Sequence, residues 1–203
     1  MILLAALLLT APSPTVDATS GTLICQVQRR LQRRRPWTQA RCDRVAEAMR
    51  ATTFAPDLML VIAILESGLR AKVKACPQDD VCDVGLMGIR CRLVHGRCIN
   101  WPVRGYPLRR LYDPVINIQA AERLLQRKRQ RSPRHWLRHY NGGTREHGYA
   151  TSVRVLRAAV SGRRLHAPTP RVRGIARLLI DIAREEQHER SDERKRGEVV
   201  DQS

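Results

Sequence analysis

The chain has 203 residues and 43% of them are hydrophobic, so it is long enough to bury a core and too apolar to be disordered throughout. Its formal charge of +18 at pH 7 comes almost entirely from arginine and, unless it reflects genome composition alone, favours an acidic partner. Nucleic acid, an anionic membrane and an acidic wall polymer are the candidates. Aromatic residues make up 4% of the chain, which argues against a protein that stacks single-stranded bases.

Residues 1–18 are predicted to be a signal peptide. Residues 2–9 form an apolar run that is too short to span a bilayer comfortably. Val16 and Ala18 stand where a signal peptidase requires small residues. Because no basic side chain precedes the run, an uncleaved membrane anchor is the alternative. After cleavage, no transmembrane span is expected.

Six cysteines follow this signal, and their even number predicts disulfides in an oxidising compartment. A zinc site is disfavoured because the chain has no Cys-x-x-Cys motif and no histidines at finger spacing, so we expect no metal and no cofactor. Six cysteines allow fifteen pairings, and proximity along the chain is the basis for choosing one. The predicted pairs are Cys25 with Cys42, Cys76 with Cys82, and Cys91 with Cys98.

The segment 19–51 is predicted to be a helical arm, interrupted at Pro36, that packs on the rest of the chain. Cys42, Val45, Ala46 and Met49 recur at helical spacing and would form its apolar face.

The most informative stretch is the apolar run 58–65, which is followed at once by Glu66. Pro56 and Asp57 suit the start of a helix and Gly68 suits its end, so Glu66 falls in the last turn. The negative end of the helix dipole and the apolar surroundings both oppose ionisation, which predicts a raised pKa. A carboxyl group that is protonated near neutral pH can act as a general acid. The alternative is a glutamate that points into water at a frayed helix end.

Residues 75–105 are rich in Cys, Gly, Pro and Asp, which predicts a small disulfide-linked lobe with short strands. Asp79, Asp80 and Asp83 lie in this lobe. One of them could supply a second catalytic carboxylate, although such residues more often cap turns.

Helical signals return after the lobe. Asp113 with Pro114, and Ser132 with Pro133, each suit the N-cap and first turn of a helix, and Gly162 suits the end of a later one. These patterns predict a mainly helical protein with a small Cys/Gly-rich lobe. The expected divisions are a signal peptide (1–18), an N-terminal helical arm (19–51), a main domain (52–162), a C-terminal helix (163–184) and a charged, disordered tail (185–203).

Four stretches, taken in order, resemble the lytic transglycosylase family, the goose-type-lysozyme-like enzymes that cut peptidoglycan. The family has Glu-Ser after an apolar helix, then Gly-Leu-Met-Gln, Leu-x-Asp-Pro-x-x-Asn-Ile and Ala-Tyr-Asn-x-Gly. The matching stretches here are 66–67, 85–88, 111–118 and 139–143, with Gly148, Tyr149 and Val153 after them, and the resemblance covers about residues 52–160. This chain departs from the family at Gly88, where Gln is usual, and at His139, where Ala is usual.

The resemblance implies a mainly α, lysozyme-like α+β fold in which the lobe borders a substrate cleft. It implies that Glu66 first protonates the bond between N-acetylmuramic acid and N-acetylglucosamine and then acts as a base, leaving 1,6-anhydro ends. It also implies peptidoglycan strands as the substrate. From the resemblance together with the predicted signal and the cysteines, we expect an exported monomer, periplasmic or extracellular, and the charge of +18 favours its association with anionic envelope polymers. The residues implied in substrate binding are Ser67, Gly85, Leu86, Met87, Tyr140 and Asn141.

Simpler roles exist for several of these residues: Ser67 could serve the helix end, Tyr140 the core, and Asn141 a turn. Two other functions also stay open. The first is a goose-type muramidase, which would hydrolyse the same bond. The second is a protein that binds the cell wall but no longer cleaves it, because Gly88 replaces the usual glutamine of the groove. Export and disulfides make nucleic-acid binding the least favoured function.

Overall fold

The computed structural model describes residues 20–140 and 147–200, so the predicted signal peptide lies outside the described residues. The described chain is mainly helical and carries one small antiparallel sheet, as expected for a lysozyme-like α+β fold. The elements, in chain order, are α1 (Gly21–Leu31), α2 (Gln39–Arg50), α3 (Pro56–Ser67), β1 (Lys74–Gln78), β2 (Val81–Val84), β3 (Ile89–Val94), β4 (Arg97–Cys98), a 3-10 helix (Leu108–Tyr112), α4 (Pro114–Arg131), α5 (Trp136–Tyr140), α6 (His147–Val160) and α7 (Pro170–Val200).

The helix α3 lies at the centre of the core. Every residue from Leu58 to Ile64 is buried, which is typical of a helix that is packed on all sides. The helix begins at Pro56 and ends at Gly68, whose φ of 61° and ψ of 37° are left-handed. This conformation suits glycine and lets its N–H bond to the carbonyl oxygen of Ile64. The predicted start and stop of this helix are therefore confirmed.

The four strands form a sheet in the order β1-β2-β3-β4, with each neighbouring pair antiparallel. Cys76–Cys82 links β1 to β2 and Cys91–Cys98 links β3 to β4. Two disulfides thus link neighbouring strands of the sheet.

The N-terminal arm packs as a helical pair against the end of α3. Cys25–Cys42 joins α1 to α2, so all three disulfides follow the pairing expected from the sequence. The side chain of Gln32 donates a hydrogen bond of 3.0 Å to the carbonyl oxygen of Gly68. The arm therefore contacts the same end of α3 that carries Glu66.

The helix α7 runs to Val200, whereas the sequence pattern predicts disorder from residue 185 onward. Its first half is amphipathic and buries Leu179 and Ile182. The charged second half consists mostly of strong helix formers, and His188 and Asp192 lie one turn apart at 3.7 Å. Within 20–140 and 147–200, no helix combines the length and apolarity that crossing a membrane would require.

Candidate active site

A cleft of about 200 Å³ lies between the sheet and the helices α4 and α5. Glu66, at the end of α3, forms part of its floor and is half-buried. The residues that line the cleft are Glu66, Asp83, Gly88, Arg90, Asn100, Trp101, Pro102, Leu124, Lys128 and Tyr140.

Burial raises the pKa of Glu66 from 4.5 to about 7. A hydrogen bond from Tyr149 and the charges of Arg90 and Arg171 lower this pKa, and the nearby charge of Asp83 raises it. Loss of hydration is the largest of these effects, so the pKa rises in the direction that the sequence predicts. A carboxyl group with this pKa is populated in both protonation states near neutral pH, and it can therefore donate a proton and take one back.

Two tyrosines stand beside the acid. The hydroxyl of Tyr149 donates to Glu66 Oε1 at 2.8 Å, and the hydroxyl of Tyr140 donates to the carbonyl oxygen of Met87 at 2.7 Å. Their rings are stacked, with centroids 6.3 Å apart. Burial raises the pKa of both phenols above the ordinary value, so both remain neutral hydrogen-bond donors. The bond from Tyr149 fixes the orientation of one carboxyl oxygen and leaves the other oxygen available to the cleft.

The available oxygen, Glu66 Oε2, faces Gly88. A Cβ atom built at Gly88 would lie 2.7 Å from Oε2 and 3.2 Å from the Cβ of Glu66, closer than side-chain atoms normally approach. Gly88 also has a φ of +60°, which glycine adopts without strain. Because glycine has no side chain, the space beside it stays free for the carboxyl group of Glu66.

The loop that carries Gly88 packs on Asn117 of α4. The side chain of Asn117 is fully buried. The amide of Asn117 donates to the carbonyl oxygens of Val84 (3.1 Å) and Leu111 (3.0 Å) and accepts from the N–H of Met87 (2.6 Å). A Cβ at Gly85 would lie 2.2 Å from Asn117 Nδ2. Gly85 therefore lets the loop approach Asn117 closely, and the hydrogen bonds of Asn117 fix the position of the loop at the bottom of the cleft.

Of the three aspartates considered as a second carboxylate, only Asp83 lines the cleft. Asp83 and Arg90 face each other across β2 and β3, and the guanidinium binds both carboxylate oxygens, at 2.9 and 3.1 Å. Asp80 pairs with Arg92 at 3.2 Å, and Asp79 is exposed in the turn between β1 and β2. Among residues 20–140 and 147–200, no three His, Cys, Asp or Glu side chains converge as metal ligands would.

Four of the substrate-binding residues implied by the resemblance differ in where they lie. Tyr140 lines the cleft. Leu86 and Met87 have fully buried side chains, so they support the floor from inside the core rather than facing the cleft. Asn141 lies outside the described residues.

Ser67, which the resemblance implies in substrate binding, bonds to backbone groups at the end of α3. Its side chain is buried, and its hydroxyl donates to the carbonyl oxygen of Ala63 at 3.0 Å. The same hydroxyl accepts from the N–H of Arg70 at 3.2 Å. One turn of helix separates Ala63 from Ser67, so this serine satisfies backbone groups at the helix end instead of facing the cleft.

Tyr149, which follows the last motif of the resemblance, contacts the acid. Three further residues of the site were not singled out from the sequence: Arg90 holds Asp83, and Lys128 and Trp101 line the cleft. Trp101 is 45% exposed, and the guanidinium of Arg127 lies over its ring at 4.6 Å. A tryptophan within the Cys- and Gly-rich stretch 75–105 was the signal in the sequence that could have pointed to Trp101.

Comparison with known proteins agrees with this geometry. The family model of the transglycosylase SLT domain matches residues 43–154, more than half of the chain. The match includes α3, the sheet, α4 and the start of α6, and thus both Glu66 and Tyr149. Searches of curated proteins and of solved structures found no match. The extent of the family match shows that this chain belongs to the transglycosylase SLT domain family, the lytic transglycosylases that act on peptidoglycan.

Proposed function

We propose that the protein is a peptidoglycan lytic transglycosylase that cleaves the β-1,4 bond between N-acetylmuramic acid and N-acetylglucosamine without water. The observation that carries this proposal is the state of Glu66. The pKa of Glu66 is raised to about 7 in a cleft where Asp83, the other carboxylate, is held by Arg90. Glycosidases that use two carboxylates need the second one as a nucleophile or as a base for water. One carboxyl group that acts first as an acid and then as a base suits this cleft better.

In the proposed reaction, protonated Glu66 donates its proton to the glycosidic oxygen as the bond from that oxygen to the muramyl C1 breaks. The oxygen of the neighbouring N-acetyl group stabilises the positive charge that develops at C1. The muramyl 6-hydroxyl oxygen then bonds to C1, and Glu66, now a carboxylate, takes the hydroxyl proton. The proton count of the enzyme is restored, no water is consumed, and the product carries a 1,6-anhydro ring.

The surroundings of Glu66 suit these two roles. Tyr149 binds Oε1, so Oε2, on the side of Gly88, is the oxygen that would exchange the proton. Neutral Tyr149 remains bonded in both protonation states, which limits the reorganisation between the two steps. Trp101 is 45% exposed and lines the cleft, so its ring could pack against a sugar.

A goose-type muramidase is the second candidate, and the position of Asp83 in the same cleft favours it. Hydrolysis would require Asp83 to orient a water molecule toward C1 while it stays bound to Arg90. The two reactions differ in their products, because hydrolysis leaves reducing muramyl ends.

The test is digestion of purified peptidoglycan by the protein and by Glu66→Gln, with the products identified by mass spectrometry. We expect anhydro-muramyl ends from the unmutated protein and none from the variant, which keeps the side-chain shape and loses the proton. Reducing muramyl ends would assign the muramidase reaction instead. A folded protein that binds the wall and releases nothing would be a wall-binding member of the family that has lost turnover.

The proposal includes an exported monomer that requires no cofactor and acts in the periplasm or at the cell wall. Three disulfides, which form in oxidising compartments, support export. The charge of +18 supports association with a polymer that carries carboxylates.

A further inference from the structure

A second and larger groove, of about 1160 Å³, also borders α5. It is bordered by the segment before α5, by one face of α6 and by the chain that follows α6. We call it the arginine groove. Its lining residues include Arg134, Arg154, Arg157, Arg163 and Arg164, with Asp57 as the carboxylate among them.

The charge of the arginine groove is largely uncompensated. Arg157 binds both carboxylate oxygens of Asp57, at 2.7 and 3.1 Å, so the positive and negative charges of this pair cancel. The other four arginines have no ion pair within the described parts of the chain, and all four are exposed. They are Arg134, Arg154, Arg163 and Arg164. Guanidinium groups arranged in this way favour ligands with carboxylates or phosphates.

The groove also contains apolar surface. Trp136 is half-buried and packs on Phe54 with ring centroids 5.4 Å apart, and Leu137 and Val153 lie in the same wall. Leu165 is 50% exposed at the rim. A polyphosphate or a polyol phosphate would leave this apolar surface uncovered. An acidic peptide would place carboxylates against the arginines and aliphatic groups against the tryptophan and leucines.

Three helices connect the arginine groove with the cleft. On α3, Asp57 lies at the groove and Glu66 at the cleft, nine residues apart, which corresponds to about 14 Å along the helix axis. On α5, Trp136 lines the groove and Tyr140 lines the cleft. On α6, Tyr149 binds the acid and Arg157 borders the groove. An extended peptide of about four residues also spans about 14 Å.

We propose that the arginine groove binds the carboxylates of the stem peptide that hangs from the muramic acid in the cleft. This inference rests on the proposed function, since it takes peptidoglycan as the substrate. The peptide begins at the lactyl group of the sugar beside Glu66, crosses the α5 side of the cleft, and ends with its acidic side chains and its terminal carboxylate among the four uncompensated arginines. The groove thereby selects strands that still carry their peptides.

The test uses the double variant Arg154→Gln/Arg164→Gln, which leaves the ion pair between Arg157 and Asp57 intact. The control is Arg173→Gln/Arg177→Gln, which removes the same charge from exposed positions of α7. The first measurement is the dissociation constant of a fluorescent acidic peptide with the D-glutamate and diaminopimelate of a stem peptide. The second is kcat and KM on peptidoglycan strands with peptides and on strands stripped of peptides by an amidase.

We expect the groove variant to weaken peptide binding by about tenfold, since it removes two charged hydrogen-bond donors, and the control to leave it unchanged. The groove variant should raise KM on peptide-bearing strands, with kcat and the digestion of stripped strands unchanged. Equal weakening by variant and control would overturn the inference, because it would mean that overall charge alone attracts the peptide. Peptide binding that is unchanged in the groove variant would overturn it as well. So would an oligonucleotide of equal charge that binds more tightly than the peptide and loses affinity in the groove variant. Because peptide binding is measured without turnover, groove-dependent binding by a protein that cleaves nothing would contradict the proposed function and still support the groove.

Discussion

Glu66→Gln should make the protein more stable, and the gain should depend on pH. The pKa of Glu66 is about 7 in the folded protein, and its ordinary value is 4.5. Burial of the charged form is unfavourable, so the folded state holds the proton more tightly than the unfolded state does. Glutamine has no such penalty, and its side-chain oxygen can still accept the hydrogen bond from Tyr149.

The sign and size follow from linkage. Below pH 4.5 the carboxyl group is protonated in both states, and it costs no stability. Between pH 4.5 and 7 the unfolded state releases its proton first, so the free energy of unfolding falls as the pH rises. Above pH 7 the full penalty applies, about 3 kcal/mol from the shift between 4.5 and about 7. The variant should therefore have a higher free energy of unfolding than the unmutated protein, and this difference should be about 3 kcal/mol larger at pH 8 than at pH 4. For a chain of this length, the difference in Tm should grow by roughly 6–12 °C over the same range.

The assay is thermal unfolding of both proteins by circular dichroism between pH 4 and pH 8.5. Glu47→Gln serves as a control, because Glu47 is exposed on α2. Its Tm difference from the unmutated protein should stay constant across the range. A Tm difference for Glu66→Gln that is also flat between pH 4.5 and 7, or that falls, would refute the argument that burial raises the pKa of this acid.

Three further changes test the surroundings of the acid. Tyr149→Phe removes the hydrogen bond that lowers the pKa of Glu66, so the alkaline limb of the pH profile of kcat/KM should move upward by about one pH unit; a downward move would contradict this role. Asn117→Ala should lower the free energy of unfolding by about 3 kcal/mol in urea titrations, because three buried backbone groups lose their partner; a loss under 1 kcal/mol would mean that the loop relaxes. Gly88→Ala should reduce kcat at least about tenfold on peptidoglycan, since its Cβ would displace Oε2 from a left-handed position, and normal turnover would show that the acid can move aside.

Sequence patterns over a few neighbouring residues were enough to predict where several helices begin and end. Pro56 and Gly68 set the ends of α3 through their own backbone preferences, so the place of Glu66 in the last turn was accessible from the sequence. Asp113 likewise caps α4, with its carboxylate accepting from Val115 at 2.9 Å. Features of this kind depend on neighbours along the chain, which the sequence displays directly.

Contacts between distant segments were not accessible in this way. Tyr149 lies 83 positions from Glu66, and no pattern of neighbouring residues shows that the two side chains meet. Whether Ser67 points into the cleft depends on which side of α3 the sheet covers, and the resemblance to a family did not resolve it. The pairing of Asp83 with Arg90 follows from the register of β2 and β3, which a Gly-rich and Cys-rich stretch does not specify.

The contact between Gly88 and Glu66 also limits which side chains this position can accept. The motif that the sequence resembles has glutamine here, and any such side chain would begin with a carbon 2.7 Å from the carboxyl oxygen Oε2, on a backbone with a φ of +60°. A glutamine at this position would therefore require the loop or the acid to shift. Without such a shift, contacts between this part of the cleft and a sugar must come from other residues of the lining, such as Trp101 and Lys128.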